Sequence, residues 1–107
     1  MTEKKVKRNT EVCLVLKGLS IIRGRWTLPI IHTLMSGTMR FKELERAVQG
    51  INTRMLVKEL KELESQNIVE RKAYATIPPK VEYSLTNKGN GLKRVMDEIE
   101  NWCQNYS

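Results

Sequence analysis

The chain contains, at residues 40–64, the segment RFKELERAVQGINTRMLVKELKELE, in which apolar residues recur at helical spacing. Phe41, Leu44 and Val48 lie at i, i+3 and i+7, which places them on one face of a first short helix. Gly50 then interrupts the pattern, and glycine readily adopts the positive φ that a sharp turn after a helix requires. Because a second apolar stripe follows at once, the segment predicts two short helices joined by a tight turn.

The second helix of this segment has two chemically different faces. Asn52 can cap its start by accepting an unpaired N–H of the first turn. Three leucines predict its buried stripe: Leu56, Leu60 and Leu63. Arg54, Lys58 and Lys61 lie opposite them at i, i+4 and i+7. The DNA major groove admits one helix between phosphates and acceptor-rich base edges, so this face favours DNA contact in a helix-turn-helix. Many solvated helices also carry Lys and Arg outward, and the stripe alone does not separate the two interpretations.

Composition supports a polyanion-binding protein of one domain. The chain has 107 residues, 19 Lys and Arg against 12 Asp and Glu, a net charge of +7 and a pI of about 9.7. We find no apolar run near the ~20 residues needed to cross a bilayer, and the N-terminus lacks the apolar core of a signal peptide. A cytoplasmic protein without a membrane partner is therefore expected. Cys13 and Cys103 form no CxxC or metal-ligand spacing, so neither a metal site nor a cofactor is predicted.

The N-terminal third predicts a basic arm followed by two helices. Residues 1–10 are polar and basic, which indicates a flexible arm, and residues 11–107 form the predicted domain. A first helix from Glu11 to Ile22 is too apolar for an isolated surface element. A second helix runs from Trp26 to Met35, and four residues supply its predicted buried stripe: Leu28, Ile31, Leu34 and Met35. The chain from there to Phe41 is too short for more than a brief extended link.

After residue 64 the apolar pattern changes from helical to alternating. Two strands are predicted, Val69–Ala75 and Val81–Leu85, joined by a loop that contains Pro78 and Pro79. Basic side chains lie along this hairpin: Arg71, Lys72 and Lys80. Such a wing after the second helix of the motif can rest on the phosphate backbone or enter the adjacent minor groove. The alternative is a purely structural hairpin whose tyrosines pack on the core.

Thr86 is expected to cap a last helix whose apolar stripe continues almost to the chain end. Burying a side chain as large as Trp102 is worth roughly 2–3 kcal/mol, and a second subunit is the simplest cover. The N-terminal helix is similarly rich in apolar residues, so the two terminal helices are expected to build a two-fold dimer interface. The predicted interface residues are Val12, Leu16, Leu19, Leu92, Val95, Met96, Ile99 and Trp102. The alternative is that these helices pack only on their own core.

The predicted fold is mainly α with a small β-hairpin (α+β), a winged helix-turn-helix with N- and C-terminal dimerisation helices. With this order of elements, the chain resembles the HxlR-type winged-helix transcriptional regulators of bacteria, relatives of the MarR type. The resemblance covers about Cys13 to the end and rests on GRW at 24–26, RFKEL at 40–44, GI at 50–51, LVKELKELE at 56–64, IVER at 68–71 and PPKVEYSLTNKG at 78–89.

The resemblance implies a homodimer that binds double-stranded operator DNA, with the helix from Thr53 in the major groove and the wing beside it. On matching positions it implies DNA contacts at Thr53, Arg54, Lys58 and the wing around Lys80. The resemblance and the pattern of charges together predict the following DNA-binding residues: Arg40, Thr53, Arg54, Val57, Lys58, Lys61, Lys72 and Lys80.

The resemblance also suggests a redox role, because several members of the family use the cysteine that opens the first helix as a sensor of oxidants or electrophiles. Cys13 occupies that position, and Lys17 and the basic arm are nearby cations that favour the reactive thiolate. Reaction there could involve a disulfide to Cys103 of the second subunit. The alternative is equally open, because cysteines in apolar helical stripes are commonly buried and inert.

Other classes of function fit the sequence less well. His32 is the single histidine, sits in an apolar helix and has no nucleophile or carboxylate at motif spacing, so no catalytic residue and no enzyme is predicted. An adaptor that uses the winged helix for protein contacts, without operator binding, would not need the cationic stripe. RNA binding fits the charge, but the exposed aromatic platform of single-strand readers is missing.

Overall fold

A computed structural model describes residues 13–106 of the chain. The predicted residues 1–10 of the basic arm and Val12 of the dimer interface lie outside this range. The order of elements matches the prediction, with one additional short strand and a divided last helix. In chain order the elements are α1 (13–22), α2 (Thr27–Leu34), β1 (Met39–Arg40), α3 (Phe41–Ala47), α4 (Thr53–Ser65), β2 (Val69–Tyr74), β3 (Lys80–Leu85), α5 (Asn87–Asn90) and α6 (Leu92–Tyr106).

The core lies where α2, α3 and α4 meet the sheet. Leu44 of α3 and the predicted leucines of α4 are buried, as helical periodicity required. In α2 the buried residues include Ile30, whereas Leu28 and Met35 of the predicted stripe are only half-buried. The buried residues of α2 form one stripe at i, i+3, i+4 and i+7, from Thr27 to Leu34, which is rotated slightly from the predicted stripe. Within residues 13–106, one cluster of buried residues forms the core: Ile30, Ile31, Leu34, Leu44, Val48, Ile51, Leu56, Leu60, Leu63, Ile68, Val69 and Tyr83.

The sheet has three antiparallel strands in the order β1-β3-β2, so the predicted two-stranded hairpin is part of a larger unit. Val69 pairs with Leu85 and Tyr74 with Lys80 along the hairpin. β1 adds two pairs on the other edge of β3, Met39 with Tyr83 and Arg40 with Glu82. The expected extended link before α3 therefore ties the helix-turn-helix to the base of the wing.

The last helix is divided, where the sequence predicted one continuous element. The Thr86 hydroxyl accepts a hydrogen bond from the Gly89 N–H (3.1 Å) and caps the short α5, as expected of a helix start. Gly91 then separates α5 from α6. Gly89 is buried so closely against the residue that precedes β2 that a Cβ built on it would lie 2.3 Å from the Ile68 carbonyl oxygen. This junction sets the direction in which α6 leaves the core.

The two terminal helices extend away from the core. The Cα radius of gyration is 16.8 Å and the longest dimension is 64 Å, whereas a compact domain of this length has a radius of gyration of about 13 Å. No residue of α6 is buried. The domain therefore consists of a packed winged unit with protruding helical ends.

Candidate nucleic-acid interface

The turn between α3 and α4 has the geometry expected of a helix-turn-helix. Gly50 adopts a φ of +87°, which confirms the predicted role of this glycine. Ile51 is buried and anchors the turn in the core. The Asn52 side chain then accepts a hydrogen bond from the Met55 N–H (2.8 Å), so the predicted cap is also present. Arg40 precedes α3, and its N–H donates to the Glu43 carboxylate at 2.9 Å. Both helices of the motif thus start at defined residues.

The solvent face of α4 combines cations with one aliphatic side chain. Leu56, Leu60 and Leu63 have 0%, 2% and 2% of their surface exposed, which fixes how the helix is rotated. The predicted DNA-binding residues of α4 are all exposed: Thr53 at its first position, followed by Arg54, Val57, Lys58 and Lys61. Among residues 13–106, none of the three cations of this face is in a salt bridge. Their charges are therefore available to an external anion.

A side-chain hydrogen bond joins the two helices of the motif beside this face. The Thr53 hydroxyl donates to the carboxylate of Glu45, which lies on α3. Thr53 is the first residue of α4, and the bond holds its side chain in place. In recognition helices, the residues at this N-terminal end contact base edges. The sequence predicts Thr53 as a contact residue but not its partner Glu45, because the two residues are eight positions apart on different helices.

Two cations of the wing, Lys72 and Lys80, are already paired. Lys72 lies 3.8 Å from Glu70, with its side chain well exposed. Lys80 lies 3.4 Å from Glu82 and its Nζ sits 5.0 Å from the centre of the Tyr74 ring. Both predicted wing residues therefore have a carboxylate partner within the wing, whereas the three cations of α4 have none among residues 13–106.

The wing tip and Arg40 line one shallow cleft. Its other lining residues belong to the loop 76–80, in which the Thr76 hydroxyl donates to the Pro78 carbonyl at 2.7 Å. Ile77 projects fully into solvent at this tip. The predicted Arg40 is exposed and paired in the sheet opposite Glu82, so it joins the helix-turn-helix and the wing into one surface.

The terminal helices expose the apolar residues predicted for a dimer interface. Leu16 and Leu19 of α1, and Val95, Ile99 and Trp102 of α6, have between 42% and 61% of their surface exposed. Leu92 and Met96 differ, because they are half-buried against the protein's own core. Additional exposed side chains were not predicted: Leu14, Val15 and Tyr106. Together these residues form an apolar face that the described part of the chain leaves uncovered.

Both cysteines lie on these helices, and both are exposed. The interpretation of Cys13 and Cys103 as thiols buried in the protomer's own core is therefore wrong. The reason is that both lie near the outer ends of their helices, beyond the turns of α1 and α6 that contact the core. His32 is likewise exposed, on α2.

Other chemistry is sparse in the described residues. On α6, the hydrogen bond to Asp97 (2.8 Å), together with the negative charge of that carboxylate, raises the pKa of the fully exposed Lys93. In residues 13–106, no group of three or more His, Cys, Asp or Glu side chains is arranged to hold a metal ion. No helix in this range has both the length and the apolar character needed to span a membrane.

Comparisons with known proteins agree with this geometry. The regulator YodB of Bacillus subtilis is 40% identical over 98 residues, which cover 92% of this chain and 88% of that protein. Its reduced form superposes with a TM-score of 0.80 at 41% identity, covering 84% of this chain and 88% of that one; diamide-treated and quinone-bound forms of it are also similar. The oxidised redox regulator HypR has a TM-score of 0.79 at 37% identity and covers 89% and 98% of the two chains.

The family described as HxlR-like helix-turn-helix matches residues 21–107. A MarR-family structure from Porphyromonas gingivalis W83 shares the fold, with a TM-score of 0.81 at 39% identity over 89% of this chain and 93% of that chain. The resemblance and the winged-helix fold predicted from the sequence are thereby confirmed. This chain belongs to the HxlR-like helix-turn-helix family and is a transcriptional regulator of the helix-turn-helix type.

Proposed function

We propose that the protein is a homodimer that binds double-stranded operator DNA in a sequence-specific manner, with α4 in the major groove and the β2–β3 wing beside it. One observation carries this proposal: three exposed cations on α4, unpaired within residues 13–106, stand on a helix whose opposite side is locked into the core. A net charge of +7 favours the same class of partner. The adaptor alternative lacks a comparable observation.

The contribution of α4 is testable by removing its cations. Arg54→Ala or Lys58→Ala should weaken binding to a duplex selected from a random-sequence pool by ~1–3 kcal/mol if the side chain reads a base. If the side chain meets only a phosphate, the slope of log K against log salt should decrease by about one. Affinities are measured by fluorescence anisotropy at several salt concentrations.

Lys93→Ala provides the matched control, since it removes one positive charge from α6 rather than from α4. It should leave affinity and salt slope close to those of the unmodified protein. If the affinity and salt slope of both α4 variants equal those of this control, α4 is not in the DNA interface. The adaptor function, with salt-insensitive binding of a protein partner, then becomes the better interpretation.

The proposed dimer is supported by the apolar surface that the terminal helices leave uncovered. The exposed apolar residues of α1 and α6 continue along both helices, and the Trp102 and Tyr106 rings lie 5.8 Å apart at the end of α6. Exposed apolar surface of this extent marks an interaction site. A two-fold pairing of these helices would cover it and would present two copies of α4 to one side of a DNA duplex.

We further propose that Cys13 senses oxidants or electrophiles. Its relative YodB has been solved in reduced, diamide-treated and quinone-bound forms, and HypR in reduced and oxidised forms. In this chain Cys13 is exposed at the start of the described α1, one helical turn from Lys17. With diamide, Cys13 and Cys103 of the second subunit would each lose one electron and one proton, forming one disulfide while diamide is reduced to its hydrazine.

Two cysteine variants separate this proposal into its parts. Cys13→Ser should retain DNA binding but lose its response to both diamide and quinone, because each reagent needs the same thiol. Cys103→Ser should lose only the diamide-induced crosslink, since alkylation by a quinone needs one thiol. Non-reducing gels and anisotropy report the two effects. A response to quinone that persists in Cys13→Ser would exclude this cysteine as the sensor.

A further inference from the structure

We infer that Glu45 sets the hydrogen-bonding polarity of Thr53, so that α4 selects an amino base, adenine or cytosine, at one position of each half-site. The inference rests on the proposed function, because it requires the start of α4 to lie in the major groove. It concerns base choice rather than the existence of DNA binding, and it depends on the side-chain contact between α3 and α4.

The chemistry of the pair is directional. A threonine hydroxyl has one proton to donate and lone pairs that accept, whereas an ionised carboxylate only accepts. The Thr53 hydroxyl therefore donates its proton to Glu45. What remains on its outer side is acceptor capacity, and the oxygens of Glu45 add more of the same kind. The pair thus presents acceptors only.

Bases differ in the hydrogen-bond donors and acceptors that they present in the major groove. Adenine and cytosine present an exocyclic amine that donates, while guanine and thymine present acceptors at the corresponding edge. An unconstrained threonine can serve either kind of base, since its proton rotates to suit the partner. With the proton held by Glu45, a guanine or thymine at the contacted position would place its own acceptor oxygen opposite the acceptors of the pair, and no hydrogen bond could form. Discrimination therefore arises from a residue that need not touch the base.

The location of the pair supports this role. Thr53 is exposed at the first position of α4, and residues at the start of a recognition helix contact base edges. Glu45 is half-buried on α3, whose Leu44 is fixed in the core, so the carboxylate is supplied by a rigid element. The Asn52 cap independently holds the helix start. Glu45 is consequently not needed to start α4, and we assign it as a positioning residue.

The test is selection from a random-sequence duplex pool, followed by affinity measurement on the selected duplex and its single-base variants. The unmodified protein should prefer an amino base over a keto base at one position of each half-site by about three- to tenfold, the effect of one hydrogen bond. Glu45→Gln should reduce this preference to less than about twofold, because an amide can either accept from the hydroxyl or donate to it. Thr53→Val should abolish the preference altogether.

The controls separate this inference from the proposed function. Glu64→Gln removes the same charge near the other end of α4 and should keep the base preference, as should Thr53→Ser, which retains the hydroxyl. If the unmodified protein selects no duplex, the proposed function fails. If it selects one but Glu45→Gln has the same base preference at every position, or if Glu45→Gln lowers only the melting temperature, the pair is structural and the inference is overturned.

Discussion

Ile99→Glu should convert the dimer into monomers and strongly reduce operator affinity. Ile99 is 47% exposed in the described chain and lies in the middle of the apolar face of α6. In a two-fold interface the substitution acts twice. Each copy loses the burial of the part that the protomer leaves exposed, about half of the ~1.5–3 kcal/mol for full burial, and also places a charge in apolar surroundings. The dimer dissociation constant should therefore increase by at least about 1,000-fold, corresponding to ~4 kcal/mol. Sedimentation equilibrium over a range of protein concentrations measures this change.

Ile77→Glu is the matched control for the oligomeric state. It makes the same chemical change at a fully exposed isoleucine of the wing tip, remote in sequence from both terminal helices. It should leave the dimer intact. If Ile99→Glu remains dimeric at the concentrations at which Ile77→Glu is dimeric, the α6 face is not the interface and another surface must pair the subunits.

The second large effect is expected from Gly89→Ala, which should destabilise the fold. The new Cβ would lie 2.3 Å from the Ile68 carbonyl oxygen. That oxygen already accepts the Thr86 N–H at 3.0 Å, so it cannot move away without weakening the junction between β3 and α5. Overpacking of this kind costs about 3 kcal/mol, and the melting temperature should fall by about 13 °C. Thermal unfolding followed by circular dichroism measures this shift.

Gly91→Ala supplies the comparison two residues further on. Its Cβ would lie 3.3 Å from the Lys88 carbonyl oxygen, so only a few tenths of an ångström need be accommodated. The melting temperature should fall far less than in Gly89→Ala. Equal effects of the two substitutions would show that the close approach at Gly89 is not what stabilises this junction.

Elements with strong periodicity were predictable from the sequence. The leucines of α4 recur at helical spacing, so both their burial and the exposure of Arg54 and Lys58 followed from the pattern. The same was true of the wing, where alternating residues are bounded by Pro78 and Pro79. Gly50 and Asn52 marked the turn because their backbone and capping preferences are specific.

Features that depend on tertiary contacts were not predictable. β1 has two residues, too few to show alternation, and it exists as a strand because β3 offers a free edge to Met39 and Arg40. The burial of Ile30 was missed because Leu28, Ile30 and Ile31 lie close together in sequence, and the pattern alone does not say which of two overlapping apolar stripes faces the core. The contact of Glu45 with Thr53 required knowledge of how α3 and α4 cross. These missed features are all contacts between separate elements.

The most direct test of the proposed interface is a crystal structure of the protein bound to its selected duplex. We expect one dimer per site, with Arg54 and Lys58 of each subunit within hydrogen-bonding distance of the DNA in successive major grooves whose centres are about 34–36 Å apart. A complex in which α4 faces solvent, or in which one subunit binds alone, would contradict this expectation.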